Sequence, residues 1–350
     1  MPINIDASLS AKAKQIILSA NDIVVTCHVS PDGDAIGSSL AVYHYLKSIG
    51  KNVTVVVPTA FPAFLKWLPD ARNILVYKDQ RAMSKEAIKH SDLIVCVDFN
   101  EISRLGEDGM PDYVAGARAK KLMIDHHLYP GDFTVLTISY PLASSTCHLV
   151  YLLLSEWMQS ETLPTDIAQC IYTGMMTDTG NFSYNSNDPQ IYETIASLIK
   201  SGINKDEIYK KVFFNCSAGR IKLQGIALNN MEVLEEYGTA VLSLSRDELN
   251  SQSYKKGDTE GFVNIPLSIH NVFFSVFFKE EDGFIKVSLR SQGDFPCNII
   301  ATDVFGGGGH LNASGGEAHN ITIAEAKQKL IDALPNYKQY FDVELAKLQD

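Results

Sequence analysis

The chain has 350 residues, of which 45% are hydrophobic and 20% charged, and its mean hydropathy is −0.02. These values are ordinary for a globular protein, and the aromatic and β-branched residues along the whole chain exclude disorder as its main state. Thirty Lys and Arg against 41 Asp and Glu give a net charge of −11, which does not suit a basic surface that grips long nucleic acid. A nucleic-acid partner should therefore be short, and a long DNA duplex is excluded.

The sequence carries no signal for a membrane or for export. No stretch approaches the ~18 consecutive apolar residues of a spanning helix. Residues 1–6 lack the basic start and apolar core of a signal peptide. The six cysteines form no C-x-x-C pair, and Cys27 and Cys96 lie in apolar runs where thiols behave as small hydrophobic groups. We expect a cytoplasmic protein without a membrane partner.

Strands, loops and helices alternate over the first 200 residues. Apolar β-rich runs predict strands over residues 23–27, 52–57, 92–97 and 121–124. Helical spacing from Asp34 to Ile49 ends at Gly50, a good residue to end a helix. Continuous apolar runs suit strands that are buried on both faces of a parallel sheet, so we predict a doubly wound, mainly parallel α/β domain.

A second, smaller α/β domain is predicted to begin at Gly238. Helices are expected over residues 191–200, 205–213 and 220–236, and strands over residues 239–244, 272–278 and 284–289. The glycine run 306–309 follows a predicted helix and is interpreted as a loop. The expected organisation is a first domain over 1–200, a helical linker over 201–237 and a second domain over 238–350.

Acids and imidazoles stand where predicted elements of the first domain end. They are His28, Asp32 and Asp34 after the first strand, Asp98 after the third, Asp125, His126 and His127 after the fourth, and Asp178 at the end of an apolar helical stretch. Each alone has an ordinary structural interpretation, such as a helix N-cap for Asp34. Because ligands of open α/β sheets bind outside the carboxyl ends of the strands, the joint placement favours a functional site.

Binuclear metal hydrolysis fits these residue types. Four Asp and at least two His, without a thiolate, form a mixed oxygen and nitrogen donor set that suits Mn²⁺ or a similar divalent ion. Two such ions, ~3.5–4 Å apart, need a carboxylate that bridges them. Asp98 is the best candidate for the bridge, because it stands alone at its strand end and faces two loops rich in ligands.

Six sequence blocks resemble those of the DHH phosphoesterases and their associated C-terminal domain, in the same order. They are H-V-S-P-D-G-D-A-I-G-S-S (28–39), V-D-F-N (97–100), I-D-H-H (124–127), T-G-M-M-T-D-T-G-N-F (173–182), S-L-R-S (288–291) and F-G-G-G-G-H (305–310). The resemblance covers nearly the whole chain. It is strongest to the oligoribonucleases that also dephosphorylate 3′-phosphoadenosine 5′-phosphate (pAp).

The resemblance implies roles for particular residues in and near these blocks. One Mn²⁺ would be held by His28, Asp32 and Asp98, and a second by Asp34, Asp98, His126 and Asp178. Catalysis would involve Asp98, His127 facing the scissile phosphate to assist the leaving group, and Asp125 orienting an imidazole. Substrate would be bound by Arg104 after the second block, by Arg290, and by Gly307, Gly308, Gly309 and His310. Glycine loops suit anions because no side chain blocks the approach to their N–H groups.

Two positions depart from the family pattern. The run Leu311-Asn312-Ala313-Ser314-Gly315 stands where the family usually has two alanines before a glycine, which bears on the shape of the substrate pocket. His148 follows Ser144-Ser145-Thr146-Cys147 at a position where an acidic residue is common. We interpret His148 as a residue on a helix face and not as a metal ligand.

The favoured function is Mn²⁺-dependent hydrolysis of very short RNA, linear dinucleotides and pAp, with the second domain choosing the substrate. An inorganic pyrophosphatase or exopolyphosphatase would use the same metals, but the motifs of the second domain offer few cations for so dense a charge. A catalytically inactive nucleotide sensor is the alternative of another class, and the complete ligand set argues against it. The sequence leaves open the preferred substrate, the direction of attack and the oligomeric state, a homodimer included.

Overall fold

A computed structural model contains two compact units, residues 1–215 and residues 216–350. It describes residues 2–160, 162–214 and 216–348. The division between the units falls inside the segment 201–237, for which the sequence predicts a helical linker. Among the helices of these described ranges, none has both the length and the apolar character needed to cross a bilayer.

The first unit alternates strands with helices, as its sequence predicts. Its strands are β1 (Asp22–Thr26), β2 (Asn52–Val57), β3 (Leu75–Val76), β4 (Leu93–Val97), β5 (Lys120–Asp125) and β6 (Leu136–Ser139). Its helices are α1 (Ala7–Ser19), α2 (Gly33–Ser48), α3 (Arg81–His90), α4 (Met110–Ala115), α5 (Thr146–Met158), α6 (Thr165–Asp178), α7 (Pro189–Lys200) and α8 (Lys205–Phe213).

All strand pairs of the first sheet are parallel, and the described strands lie in the order β3-β2-β1-β4-β5-β6. The strands are apolar on both sides because both faces are covered. Val25 and Val95 pack in the core under α2, α5 and α6, whereas Val24 and Ile94 pack on the other face with residues of α3 and α4. The predicted doubly wound fold is therefore confirmed. The strand order reverses between β1 and β4, which is where such folds bind their ligands.

The second unit has a mixed sheet. Its strands are β7 (Glu232–Leu234), β8 (Thr239–Leu244), β9 (Phe274–Glu281), β10 (Phe284–Ser291), β11 (Gly308–His310) and β12 (Ala313–His319). Its helices are α9 (Ala218–Asn229), α10 (Arg246–Ser251), α11 (Cys297–Phe305), α12 (Ile323–Ala333) and α13 (Lys338–Lys347). The strand order is β11-β12-β10-β9-β8-β7, with β8 and β9 parallel and the other pairs antiparallel.

Each face of this sheet has its own core. Alternating residues of β10, such as Val287 and Leu289, pack against α11, α12 and α13. On the other face, Leu242 and Phe277 pack against α9, α10 and the short helix that begins at Phe262.

Two predictions for the second unit are wrong. The helix expected over 220–236 ends at Asn229, and residues 232–234 form the edge strand β7. The side chain of Asn230 donates to the carbonyl of Ser243 and to Glu248, and these bonds turn the chain onto β8. The glycine run 306–309 is not wholly a loop, because Gly308 and Gly309 pair with β12 in β11.

Candidate metal centre

Three neighbouring strands of the first sheet deliver polar side chains to one edge. His28 follows β1, Asp98 follows β4 directly, and Asp125 is the last residue of β5, with His126 and His127 after it. Because β1, β4 and β5 are adjacent and parallel, their carboxyl ends meet at the point where the strand order reverses.

Helix α2 adds two further carboxylates beside β1. The N-cap of α2 is Asp32, whose carboxylate accepts hydrogen bonds from the N–H groups of Asp34 and Ala35 at 3.0 Å. The ordinary interpretation of Asp34 as the N-cap is therefore wrong. Asp34 lies in the first turn, where its buried carboxylate accepts from the N–H groups of Thr146 and Cys147 at 2.6 and 2.8 Å.

Close packing of α2 against α6 brings Asp178 to the same place. A Cβ atom at Gly37 would lie 2.6 Å from the carbonyl oxygen of Cys170, so glycine is needed where these helices meet. Asp178 is the last residue of α6, and its Oδ2 lies 3.6 Å from Nε2 of His126.

The described residues form three groups whose candidate ligand atoms lie within 4.8 Å of one another. They are His28, Asp32 and Asp98; Asp34, His126 and Asp178; and Asp98, His126 and His127. The structure thus brings together every residue that the sequence predicts as a metal ligand. His148 belongs to none of these groups: it is buried on α5, as a helix-face residue.

Asp98 belongs to two of these groups, the one with His28 and the one with His126 and His127. Its Oδ2 lies 3.4 Å from Nε2 of His28, and its Oδ1 lies 3.6 Å from Nε2 of His126. Asp98 has a φ of +62°, a left-handed conformation that is uncommon for a residue other than glycine. Such strain is concentrated at functional sites. One carboxylate therefore turns one oxygen towards each group.

Burial and crowding give the carboxylates opposing pKa shifts. Burial, together with the charges of Asp98 and Asp178, raises the pKa of Asp34 well above its usual value. Burial also raises the pKa of Asp178, to about 7, against the lowering effect of His126. Burial alone would raise the pKa of Asp98, but the hydrogen bond and charge of His28 hold it well below its usual value. The crowded carboxylates of Asp34, Asp98 and Asp178 thus need compensating positive charge.

The donor set fits divalent metal ions. It combines carboxylate oxygens with imidazole nitrogens, which suits Mn²⁺ and similar ions. The nearby thiols do not compete as ligands, because burial raises the pKa of Cys27 and of Cys147 well above the ordinary value. Asp98, with one oxygen towards each group, fits the carboxylate bridge of a two-metal site.

The imidazole of His127 is held in place by Asp125, the first residue of the Asp125-His126-His127 triplet. Asp125 is fully buried, and its Oδ1 lies 2.7 Å from Nδ1 of His127. Its Oδ2 accepts a hydrogen bond from the N–H of His127 at 3.0 Å. These contacts fix both the plane of the imidazole and the nitrogen that carries the proton.

Arg104 lies on the β4 side of the site. It is half-buried in a short helix, and its carbonyl oxygen accepts a hydrogen bond from the N–H of Val29 at 2.7 Å. The backbone of Arg104 is therefore fixed beside the segment that carries His28.

In the second unit, the pairing register aligns two predicted substrate residues. Arg290 of β10 and His310 of β11 both pair with Ala313 of β12. Residues directly opposite in a sheet point to the same face, and two strand spacings place these backbones about 10 Å apart. Glycine is required at two positions directly before His310. A Cβ at Gly307 would overlap the carbonyl of Gly315, and Gly309 has a φ of +146°.

The departures near His310 have packing roles. The side-chain amide of Asn312 donates to Oγ of Ser291 and to the carbonyl of Gly293, at 3.0 Å each. Ser314 is buried, with its Oγ 3.1 Å from Sγ of Cys297. These side chains tie the β11–β12 turn to β10 and α11.

Residues outside the predicted set also contact the centre. The hydroxyl of Thr146 donates to Oδ1 of Asp98 at 3.0 Å. The side-chain amide of Asn100 donates to the carbonyl of Leu128 at 2.7 Å and so fixes the loop after His127. Ser145, directly before Thr146, is a typical N-cap residue and could have indicated the start of a helix. Nothing in the sequence shows which carboxylates that helix contacts.

A doubly wound α/β domain with carboxylate and imidazole groups around a shared Asp at its switch point is typical of metal-dependent hydrolases. Residues 22–175 match the model of the DHH family, N-terminal domain, and residues 235–339 match that of the DHHA1 domain. The chain belongs to the DHH family, with DHHA1 as its second domain, and it is a phosphoesterase hydrolase.

Relatives span nearly the same length. The bifunctional oligoribonuclease and PAP phosphatase NrnA of Thermus thermophilus is 28% identical over 316 residues, covering 89% of each chain. The protein of the same name from Bacillus subtilis is 28% identical over 307 residues, covering 87% of this chain and 91% of its own. The crystal structure of an exopolyphosphatase-related protein from Bacteroides fragilis is 46% identical, with a TM-score of 0.92 and all of both chains covered.

Proposed function

We propose that this chain hydrolyses short oligoribonucleotides, linear dinucleotides and pAp with two bound Mn²⁺ ions. The observation that carries the proposal is the position of Asp98, which has one carboxylate oxygen near His28 and the other near His126. The substrate class is supported by the relatives named as oligoribonucleases and PAP phosphatases, which align over most of their length.

His28, Asp32 and Asp98 would hold one ion. Asp34, His126 and Asp178 would hold the other, together with Asp98, whose Oδ1 lies 3.6 Å from Nε2 of His126. When bound, the ions lower the pKa of a water molecule and polarise a phosphoryl oxygen.

His127 is the proposed proton donor to the leaving oxygen. Because Nδ1 of His127 donates to the buried Asp125 carboxylate at 2.7 Å, the imidazole is held in a fixed orientation. Nδ1 keeps its proton in the bond to Asp125, so the proton given to the leaving oxygen would be a second one, carried on Nε2.

The second unit would recognise the nucleotide. Arg290 and His310 share one face of the sheet and are the proposed phosphate or base contacts. Gly308 and Gly309 are the proposed backbone contacts, because they present no side chain to an approaching phosphate. The N–H of Gly307 donates to the carbonyl of Ala301, so this glycine would contribute to the close packing of the segment. Arg104 is the proposed cationic contact on the first unit.

Comparing substrates of different size tests this division of labour. Arg290→Ala and His310→Ala should reduce kcat/KM for a diribonucleotide and for pAp far more than for bis-p-nitrophenyl phosphate. The small chromogenic diester needs the metal centre and little else, so its hydrolysis should survive both changes. Equal losses on all three substrates would place these residues in the catalytic centre and refute the assignment.

A second candidate, exopolyphosphatase activity, is favoured by the description of the Bacteroides fragilis structure. The same metal centre serves both reactions, so the two differ only in what the second unit recognises. Steady-state kinetics with inorganic polyphosphate, pyrophosphate, pAp and diribonucleotides in one buffer separates them. A higher kcat/KM for polyphosphate than for the nucleotides would overturn the first proposal, and the absence of turnover with all of them would leave a nucleotide sensor.

A further inference from the structure

The N-terminus of α5 lies against two of the proposed metal ligands. Thr146, its first residue, is completely buried. Its hydroxyl donates to Oδ1 of Asp98 at 3.0 Å, and its backbone N–H donates to Oδ2 of Asp34 at 2.6 Å. The N–H of Cys147 donates to the other oxygen of Asp34 at 2.8 Å. One residue thus contacts both carboxylates.

Local sequence and packing fix Thr146 in this position. Ser145 caps α5 by accepting a hydrogen bond from the N–H of His148. The first N–H groups of a helix have no partner within the helix, which leaves those of Thr146 and Cys147 for Asp34. A Cβ at Gly174 of α6 would overlap Sγ of Cys147, so α5 is packed too closely against α6 to move away.

The bond to Asp98 has a different consequence from the bonds to Asp34. Rotation about χ2 of an aspartate is soft, so the backbone alone does not decide where its two oxygens point. His28 contacts Oδ2 of Asp98 and the hydroxyl of Thr146 contacts Oδ1. A hydroxyl has one proton to donate, and here that proton fixes the oxygen that lies 3.6 Å from His126.

We propose that Thr146 is a positioning residue that sets the rotation of the Asp98 carboxylate, so that one oxygen faces each group of ligands. This proposal rests on the proposed function only in its use of a metal centre, and it requires no particular substrate. Groups that orient metal ligands typically contribute 10- to 100-fold in metal affinity or activity. Loss of the hydroxyl should therefore weaken metal binding by roughly that factor while the overall fold is kept.

Three variants of the full chain isolate the hydroxyl. Thr146→Val removes it and keeps the shape, and Thr146→Ser retains it. Thr173→Val is the matched control, because Thr173 is also completely buried and its hydroxyl donates only to the carbonyl of Gln169 in α6. Metal-free protein is titrated with MnCl₂ by calorimetry, and the EPR spectrum of the loaded protein reports whether two Mn²⁺ ions are coupled.

We expect Thr146→Val to weaken binding of at least one Mn²⁺ ion by about 10- to 100-fold and to lose the coupled EPR signal. Thr146→Ser and Thr173→Val should bind two ions as the wild type does. Wild-type affinity and coupling in Thr146→Val would overturn the proposal, and so would the same loss in Thr173→Val.

If Thr146→Val does not fold, Thr146→Ala replaces it, since alanine removes the hydroxyl and introduces no new metal-binding atom. Equal Mn²⁺ affinity of the Ala and Ser variants would then refute the positioning role. Two-ion binding without hydrolysis of any nucleotide would contradict the proposed function and leave the role of Thr146 standing.

Discussion

Asp98 combines features that are each unfavourable in an ordinary core. It is a carboxylate with 2% exposure, and its backbone is in the left-handed region. Its partners His28 and Thr146 satisfy one oxygen each. A buried charge on a strained backbone persists only where the surrounding structure holds it, and such residues cluster at functional sites. The proposed bridge between two metal ions is a function of this kind.

The two most buried carboxylates among the proposed metal ligands should therefore respond differently to the same change. Asp98→Asn should lower kcat at least about 100-fold further than Asp34→Asn, because displacing reacting groups by 1 Å already costs on the order of 10²-fold. Asp98 contacts the groups on both sides, whereas Asp34 contacts only that of His126. The measurement is kcat with bis-p-nitrophenyl phosphate at saturating MnCl₂, with the metal content of each variant determined in parallel. Retained activity in Asp98→Asn with two ions bound would remove Asp98 from its assigned role.

At the scale of elements, burial on two faces decided what the sequence could predict. The runs that form β1, β2, β4 and β5 are continuously apolar, and they were predicted within about two residues of their bounds. β3 has two residues and β6 has four, both at edges of the sheet, where little apolar sequence is required. The end of α9 depends on the contacts of Asn230 with Ser243 and Glu248, which no local pattern encodes.

Helix α5 carries a buried histidine with an electrostatic consequence. Burial lowers the pKa of His148 to about 4, and the opposing effect of the Asp188 carboxylate does not restore it. Within the described residues, Nε2 of His148 has no hydrogen-bond partner. Between pH 6.5 and pH 4 the unfolded chain therefore binds a proton at this residue that the folded chain does not.

We expect His148 to make the protein less stable as the pH falls through this range. The contribution of His148 to the free energy of unfolding is fully present above the unfolded pKa of 6.5. It decreases by about 3 kcal/mol between that pH and pH 4, since one pKa unit corresponds to 1.36 kcal/mol. His148→Leu removes the titration and leaves no bonded partner of Nε2 unsatisfied. Urea unfolding of the metal-free wild type and variant at pH 8 and pH 5 gives the free energy of unfolding of each protein at each pH. The other histidines are present in both proteins, so their effect cancels in the difference between them. A difference in stability that does not change with pH would show that His148 is not buried in its neutral form.

At the scale of the whole molecule, the sequence predicted which proposed ligands lie close together, but not which other residues hold them in place. The positions of His28, Asp98 and His126 after predicted strands were sufficient to group them, because neighbouring parallel strands end at one edge of the sheet. The contact of Asp178 with His126 depends on the packing of α6 against α2, which requires glycine at Gly37. The contact of Thr146 with Asp98 spans 48 residues along the chain, so only tertiary structure shows it.

The charge of the whole chain leads to a prediction about substrate length. Its net charge is −11, and two divalent ions bring this to −7. A long single strand needs a positive groove along its backbone, with aromatic platforms for its bases. A substrate of a few nucleotides needs only the metal centre, Arg290 and the glycine segment, whereas additional phosphates meet repulsion from a negatively charged protein.

We therefore expect kcat/KM to be highest for RNAs of roughly two to five nucleotides and to fall with further length, with a shallow dependence on salt because few phosphates are neutralised. The measurement is hydrolysis of 5′-labelled RNAs of graded length at 50 and 200 mM salt, concentrations between which a protein with many phosphate contacts loses about 10³-fold or more in affinity. A diribonucleotide serves as the internal control, because its turnover should change little with salt. Equal or greater activity on a long strand, with a steep salt dependence, would require a basic track on this acidic protein and would refute the argument from charge.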